Sequence, residues 1–437
     1  MQKRLFKGVL QRFGKSGFAR AGWAVHINDF RLICSVHVFL RKVFDNIQQN
    51  TYYFALLKYG EVILAIFQSI ICLIACHGGA ANHFAVFAKA LEEQGHTVEI
   101  YATGPAIKKF QQHHITNIHM FSLEEGDTNE EVAARIAAKC AKAAIVITDV
   151  GHAFAICLQD ALLKNAPKSL KIAYYDNPES YVPGGYSAIA SKVMQKAQKS
   201  LFANANLAKL PIYETPSKQV PLQDADKIGL GYYPASQGEK IAEKRDTTYS
   251  AMRRRFFMDT KLQDTGQKIL VYTGGNNTEY FEKAFPAFLQ YIADLPNKQD
   301  MKNILIVLQQ HPGAKAKNID RKLLEDWMQQ NGSIPQFCIS SMSTDDALVI
   351  ADAALYYQTS MAPQFVIAGI PTVQVGHEIY QDVLVKNQLC VCVNSGKDFA
   401  GALESLQKKP VAGSLFAVKQ GLGMRDDWAE VLKNLAK

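Results

Sequence analysis

The polar residues best placed for chemistry in this chain stand where apolar runs end. Directly after the run Ile70–Cys76 comes His77-Gly78-Gly79-Ala80-Ala81-Asn82-His83. Small side chains let a backbone close on a ligand, and a following helix N-terminus presents unpaired N–H groups to an anion. Gly78, Gly79 and Asn82 are therefore candidate ligand contacts. His83, in the first turn of that helix, is a candidate general base. The same residues also suit a loop kept small for packing. TDVGHAF sets Asp149 and His152 at the end of another apolar run. They read as an acid–base pair beside a substrate, or Asp149 reads as a plain helix N-cap. Asp176 and Glu179 in YYDNPESY end a further strand pattern, but Asp-Asn-Pro is turn chemistry that needs no function.

The second half repeats the theme. Thr273-Gly274-Gly275-Asn276 is another glycine turn before a helical pattern, and His311-Pro312 ends a strand pattern so that the imidazole aims at whatever lies beyond it. An imidazole there can hydrogen-bond a phosphate or a nucleobase. In YYQTSMAPQFVIAGIPTVQVGHEIYQD, a polar Gln358-Thr359-Ser360 turn separates a strand from an apolar helix. Its hydroxyls and the helix start make a phosphate cradle, and Thr or Ser is equally the ordinary N-cap.

Alternating strand and helix patterns must position these residues. The first run places strands at Ile70–Cys76, Thr97–Ala102, near Asn117–Phe121, at Ala144–Asp149, Leu170–Tyr175 and Leu201–Asn204, with helices between them. Residues 205–266, with Pro211, Pro216, Pro221 and Pro234 and a polar helix around 238–258, read as a connection. The second run places strands at Lys268–Thr273, Asn303–Gln309, Gln336–Ser340, Ala353–Tyr357 and Thr372–Val375. Parallel strands require helical crossovers, so the expected class is α/β, with two doubly wound, Rossmann-like parallel sheets. Ligands bind such sheets at the carboxyl ends of the strands, which makes a cleft between the two halves the default site. The expected divisions are 1–67, 68–235 and 236–437, with the last helix crossing back to the first half.

Composition narrows the function classes. The 437 residues are 48% hydrophobic and 20% charged, the profile of a globular chain. The formal net charge is +8, and residues 1–60 carry ten Lys or Arg against Asp29 and Asp45 alone. The body is therefore neutral and gives no support to nucleic-acid binding. Leu5, Phe6, Val9, Leu10 and Phe13 give the basic start an apolar face. That segment reads as a helix lying on an anionic membrane surface, as a transit peptide, or as a bare extension. The apolar run Val62–Cys76 falls short of the roughly 20 residues a spanning helix needs, and a buried strand suits it better. Eight cysteines without a CxxC pair favour free thiols in a reducing, cytoplasmic setting over a zinc site or a disulfide scaffold. The first glycine turn is not GxGxxG, and no acid follows the second strand at Tyr101-Ala102-Thr103, which disfavours dinucleotides.

From about residue 68 onward the chain resembles nucleotide-sugar-dependent glycosyltransferases of the GT-B fold. Glycine turns follow the first strand of each half, and Thr359, Ser360, Gln364, Gly369 and Pro371 are similar to that superfamily's donor-binding helix. Gln381 stands where many members place a residue that meets the sugar, and His311-Pro312 resembles an element of bacterial sialyltransferases and of polymerases using CDP-activated polyols. Gln364 replaces the usual acid of that helix, a departure that bears on ribose recognition and on the identity of the donor. The resemblance implies transfer from a nucleotide-sugar donor to an acceptor, with no cofactor and no bound metal. The second half would hold the diphosphate through Gly274, Gly275, Asn276, His311, Gln358, Thr359 and Ser360. The first half would hold the acceptor, with His83 or Asp149 taking its proton. A membrane-borne acceptor would suit the basic start. UDP-N-acetylglucosamine 2-epimerases share the fold, but their Asp-Ser-Gly-Gly turn is here Tyr357-Gln358-Thr359-Ser360. A two-lobed binding protein is the non-enzymatic alternative, and it would call for an export signal that residues 1–60 do not supply.

Overall fold

The computed structural model describes residues 69–123, 126–295, 301–311, 318–332, 335–376, 382–405 and 414–435. Every expectation for residues 1–67 lies outside them. Residues Gln68–Lys437 form one compact unit.

The first sheet is built from β1 (Ile70–Ala75), β2 (Thr97–Ala102), β3 (Ile118–Met120), β4 (Ile145–Asp149), β5 (Leu170–Tyr175) and β6 (Lys199–Phe202). After a small antiparallel hairpin, β7 (Tyr213–Thr215) with β8 (Lys218–Gln219), the strand β9 (Lys227–Gly229) completes it. All seven run parallel in the order β3-β2-β1-β4-β5-β6-β9. The order reverses between β1 and β4, where such sheets open a crevice at their carboxyl ends. Helices α1 (Gly78–Glu92), α2 (Pro105–Gln112), α3 (Asn129–Lys139), α4 (Phe154–Asn165) and α5 (Tyr186–Lys196) cross between the strands. The unbroken apolar run of β1 follows from burial on both faces. Ile71, Leu73 and Ala75 enter one core with Phe84 and Phe87 of α1, while Cys72 and Ile74 enter the other with Val132 and Leu158.

The long helix α6 (Ala235–Thr260) leads into the second sheet: β10 (Lys268–Thr273), β11 (Ile304–Gln309), β12 (Gln336–Ile339), β13 (Ala353–Tyr356), β14 (Thr372–Val375) and β15 (Val391–Val393). Its order is β12-β11-β10-β13-β14-β15, again parallel throughout. The crossovers are α7 (Phe285–Ala293), entered through a π turn at Tyr280–Ala284, then α8 (Ile319–Asn331), α9 (Thr344–Ile350), α10 (Ala362–Ile367) and α11 (Val383–Lys386). Alternation recurs in β10, where Ile269 and Val271 face one core and Leu270 and Tyr272 the other. After α12 (Gly396–Ser405) and α13 (Ser414–Gly421), the final helix α14 (Trp428–Leu435) packs on the first sheet's side. Its Leu432 is buried in that core, and the Trp428 ring lies 4.7 Å from Tyr232.

Two departures from the sequence reading are physical. Residues 205–266 do more than connect, because Lys227–Gly229 adds a parallel edge strand to the first sheet. Three residues carry too little periodicity to be seen, and a Cβ at Gly229 would come within 2.7 Å of the Ala205 carbonyl. Gly78 and Gly79 are not loop residues but the first two residues of α1, so the turn after β1 is shorter than expected. Among the described residues no helix is long and apolar enough to cross a membrane.

Candidate functional site

A cleft of about 510 Å³ opens where the carboxyl ends of the two sheets meet. From the first half, His77, Gly79, Gly151, Asp176 and Glu179 line it. The second half contributes Gly274, Gly275, Asn276, Asn277, His311, Tyr357, Gln358, Thr359, Ser360 and Asp382. Eight residues singled out from the sequence thus share one cavity: Gly79, Gly274, Gly275, Asn276, His311, Gln358, Thr359 and Ser360.

The glycines have measurable reasons to be there. A Cβ on Gly79 would sit 2.7 Å from Asp176 Oδ2, so the start of α1 closes on a carboxylate that would have to shift for any larger residue. Gly274 and Gly275 lie on the ring of Tyr280, with prospective Cβ contacts of 2.9 and 2.8 Å. Their smallness therefore serves packing as well as access. Asn277 caps the π turn by accepting from the Tyr280 N–H at 2.7 Å. Across the cleft, Thr359 Oγ1 accepts from Met361 N–H at 3.2 Å, and the Ser360 carbonyl accepts from the Tyr233 hydroxyl. The Gln358 amide Nε2 is buried beside them with no protein acceptor. A buried donor without a partner costs about 1–3 kcal/mol, which a ligand acceptor would recover.

Other expected residues are placed elsewhere. His83 is buried 5% exposed within the rings of Phe87, Tyr174, Tyr232 and Tyr233, its Nδ1 2.6 Å from the Tyr174 hydroxyl. Burial lowers its pKa to about 4, against a smaller opposing pull from Asp176. It does not line the cleft, because the helix begins at Gly78 and turns this position toward the sheet. Asp149 is also buried behind the wall, where Oδ2 accepts from the Cys76 N–H at 2.5 Å and the His77 N–H at 3.3 Å. Burial raises its pKa, opposed by His77 and these N–H groups. His152 is exposed and accepts from the Phe154 N–H at 3.1 Å, capping α4. Asn82 belongs to a second cavity on the flank, and Gln364 turns away from the cleft toward Gln237 at 3.5 Å. Gly78 has open space around its Cα and lines neither cavity. Gln381 lies outside the described residues. The chain's one Asp-x-Asp triplet, Asp224-Ala225-Asp226, is likewise remote from the cleft, paired with Lys227 and Lys199.

The structure adds residues that the sequence reading passed over. His77 places its Nδ1 3.7 Å from Asp149 Oδ2, while Nε2 packs against Gly151 with no partner. Asp176 accepts from the Tyr186 hydroxyl at 2.7 Å and faces the cleft beside Gly79. Glu179 crosses to the second half, accepting from the Val383 N–H and from Lys386 Nζ at 3.1 Å. Burial raises its pKa, and Lys386 opposes that. Asp382 caps the same short helix through Leu384 and Val385 and accepts from the Tyr356 hydroxyl at 2.5 Å. No Lys or Arg lines the cleft among the described residues, so hydroxyls, amides and imidazoles are the groups available to an anion. His311 is one of them, and burial holds its pKa below the ordinary value, which favours the neutral ring. Among the described residues no cluster of His, Cys, Asp or Glu could hold a metal ion.

No protein-family model and no curated protein matches this chain. Solved structures do. UDP-GlcNAc 2-epimerase from Neisseria meningitidis, bound to UDP-GlcNAc, aligns over 83% of this chain and 98% of its own, with a TM-score of 0.57 and 11% identity. A glycosyltransferase from Rickettsia africae aligns over 85% and 99%, with a TM-score of 0.56 and 12% identity. UDP-GlcNAc 2-epimerase from Methanocaldococcus jannaschii, in complex with UDP-GlcNAc and UDP, aligns over 80% and 98%, with a TM-score of 0.55 and 12% identity. With two parallel α/β sheets meeting at their carboxyl ends, the chain has the GT-B fold that these enzymes share.

Proposed function

We propose that the cleft binds a nucleotide-sugar and transfers its sugar to an acceptor hydroxyl. One observation carries the reading. Gln358, Thr359 and Ser360 bring a partnerless buried amide and two hydroxyls to one wall, opposite Asp176 and His77, in a cleft whose volume suits a small-molecule ligand. The diphosphate would lie along the second-half wall, with neutral His311 donating one hydrogen bond. In transfer, the bond from the anomeric carbon to the phosphate oxygen breaks and the acceptor oxygen bonds that carbon. The acceptor proton passes to a cleft base. We assign this base to Asp176, which lines the cavity and is oriented by the Tyr186 hydroxyl. It replaces His83 and Asp149, which do not reach the cavity.

A second reading is epimerisation at the sugar's C2. The C2 proton passes to a base as the bond from C1 to the phosphate oxygen breaks, leaving a C1–C2 double bond. The same phosphate oxygen then adds back to C1 as a proton returns to the other face of C2. Two of the solved structures named above carry that activity, and the cleft's three carboxylates, Asp176, Glu179 and Asp382, suit proton removal and return on opposite faces. A thermal-shift screen over UDP, CDP, GDP and CMP identifies the base first, since a bound ligand raises stability by mass action. Incubation of the full chain with the matching nucleotide-sugar then separates the readings. Slow release of free nucleotide, accelerated by an acceptor, supports transfer. Accumulation of the C2 epimer without nucleotide release replaces it with epimerisation. Thr359→Ala with Ser360→Ala should weaken nucleotide binding by about 1–3 kcal/mol with the fold retained, the melting temperature falling only by the loss of the Thr359 contact to Met361 N–H; undiminished affinity would remove the donor assignment.

A further inference from the structure

A second cavity, of about 530 Å³, lies on the flank between α1, α2 and the start of α6. Its charge is one-sided. Lys89, Lys109, Lys240 and Lys244 line it together with His113 and His114, against the single carboxylate of Asp345. Lys244 is paired with Asp346, and Asp345 accepts from the Gln237 amide at 3.2 Å. His113 reports the crowding, since its pKa is lowered by burial and then by Lys109, Lys89, Lys240 and His114.

The floor is ordered rather than incidental. Asn82, 7% exposed, has its Oδ1 2.7 Å from His113 Nε2 and donates Nδ2–H to Gln237 Oε1 at 3.4 Å. Because an amide oxygen only accepts, that contact puts a proton on His113 Nε2. The lysines come from both sides of the junction: Lys89 and Lys109 from helices of the first sheet, Lys240 and Lys244 from α6, which packs on α9 and α10 of the second. Like charges held together across such a junction repel, and an anion seated between them removes the repulsion while gaining charge-assisted hydrogen bonds.

We propose that this basin is a second ligand site, taking a phosphate-bearing anion with two or more negative charges. It shares no lining residue with the cleft. The site therefore stands or falls independently of the sugar-transfer reading. The anion's chemistry could come from a soluble pyrophosphate or phosphate ester, or from the headgroup of an anionic lipid.

Inorganic pyrophosphate is the probe, titrated into the full chain by calorimetry at low and moderate salt. The variants are Lys109→Gln with Lys240→Gln, both at solvent-accessible positions, and Thr359→Ala with Ser360→Ala as the cleft control. We expect saturable, salt-weakened binding that survives in the cleft control and falls by about tenfold or more in the lysine variant, through loss of two charge-assisted contacts. Sedimentation with phosphatidic acid vesicles separates the sources. A loss of sedimentation in the lysine variant assigns a lipid headgroup, and unchanged sedimentation with lost pyrophosphate binding assigns a soluble anion. Equal pyrophosphate binding by wild type and lysine variant, no binding by either, or loss confined to the cleft control overturns the proposal.

Discussion

An imidazole enclosed by aromatic rings titrates far below a free one. Burial holds His83 near a pKa of about 4, against the ordinary 6.5. The unfolded chain therefore takes up this proton first as pH falls. The contribution of neutral His83 is complete above pH 6.5, lost progressively from there to about 4, and constant below, a swing of about 3 kcal/mol. His83→Gln keeps a polar partner for the Tyr174 hydroxyl but cannot titrate. Its melting temperature should fall less than that of wild type between pH 6.5 and 4; parallel profiles would contradict the assignment. At Asp176 the expected change is catalytic. Asp176→Asn should lower kcat by roughly 10²–10⁴-fold with nucleotide affinity retained, the loss typical of a general base. These two residues mark what can be read from residue types alone. The sequence identifies turns that line the cleft, because glycines, hydroxyls and histidines cluster after strands. It does not say which side chain of a turn faces out, since the first residue of α1 decides that. A start at Gly78 buries His83 and exposes His77 and Gly79 to the cleft.

At the scale of elements, apolar period and glycine stops locate the central strands β1, β4, β5, β10, β11, β13 and β14, because these are buried on both faces and read as continuous runs. The strands Lys268–Thr273 and Thr372–Val375 fall on their expected residues. What escaped notice was short or held by partners distant in sequence. Lys227–Gly229 is a strand only because β6 pairs with it, and Val383–Lys386 is a helix capped at its start by Asp382 and, from the other half, by Glu179. Helix α6 is largely polar, yet it buries Ile241, Phe256 and Phe257 in the core of the second sheet and sends one arginine to the end of a neighbouring helix. Arg245 donates to the carbonyls of Leu348 at 2.8 Å, Val349 at 3.1 Å and Ala351 at 2.6 Å, satisfying the open end of α9. Arg245→Met leaves those carbonyls without this donor. Stability should drop by about 1–3 kcal/mol, read as a lower denaturant midpoint with the residues lining the cleft untouched. No change in midpoint would mean that water replaces the guanidinium without loss.

At the scale of the whole molecule, the two sheets are joined by more than the α6 connection. Glu179 reaches Val383 and Lys386, Arg425 N–H donates to the Gly231 carbonyl at 2.8 Å, and Trp428 covers Tyr232 and Phe87. The last of these has a consequence in time. The core around β1 contains Leu432, so the residues of β1 wait for a partner made much later in the chain. A nascent chain bearing only the first sheet leaves the outer side of α1 bare, with Phe87 and Tyr232 lacking their cover. Contacts so far apart in sequence slow the final step, because a long loop must close before they repay its entropy. A chain ending at Asp427 should therefore bind more of a hydrophobic dye and refold to a less stable product. Adding a peptide of residues 428–437 should reverse part of the dye signal, and dye binding equal to that of the full chain would show that the first half closes without its last helix.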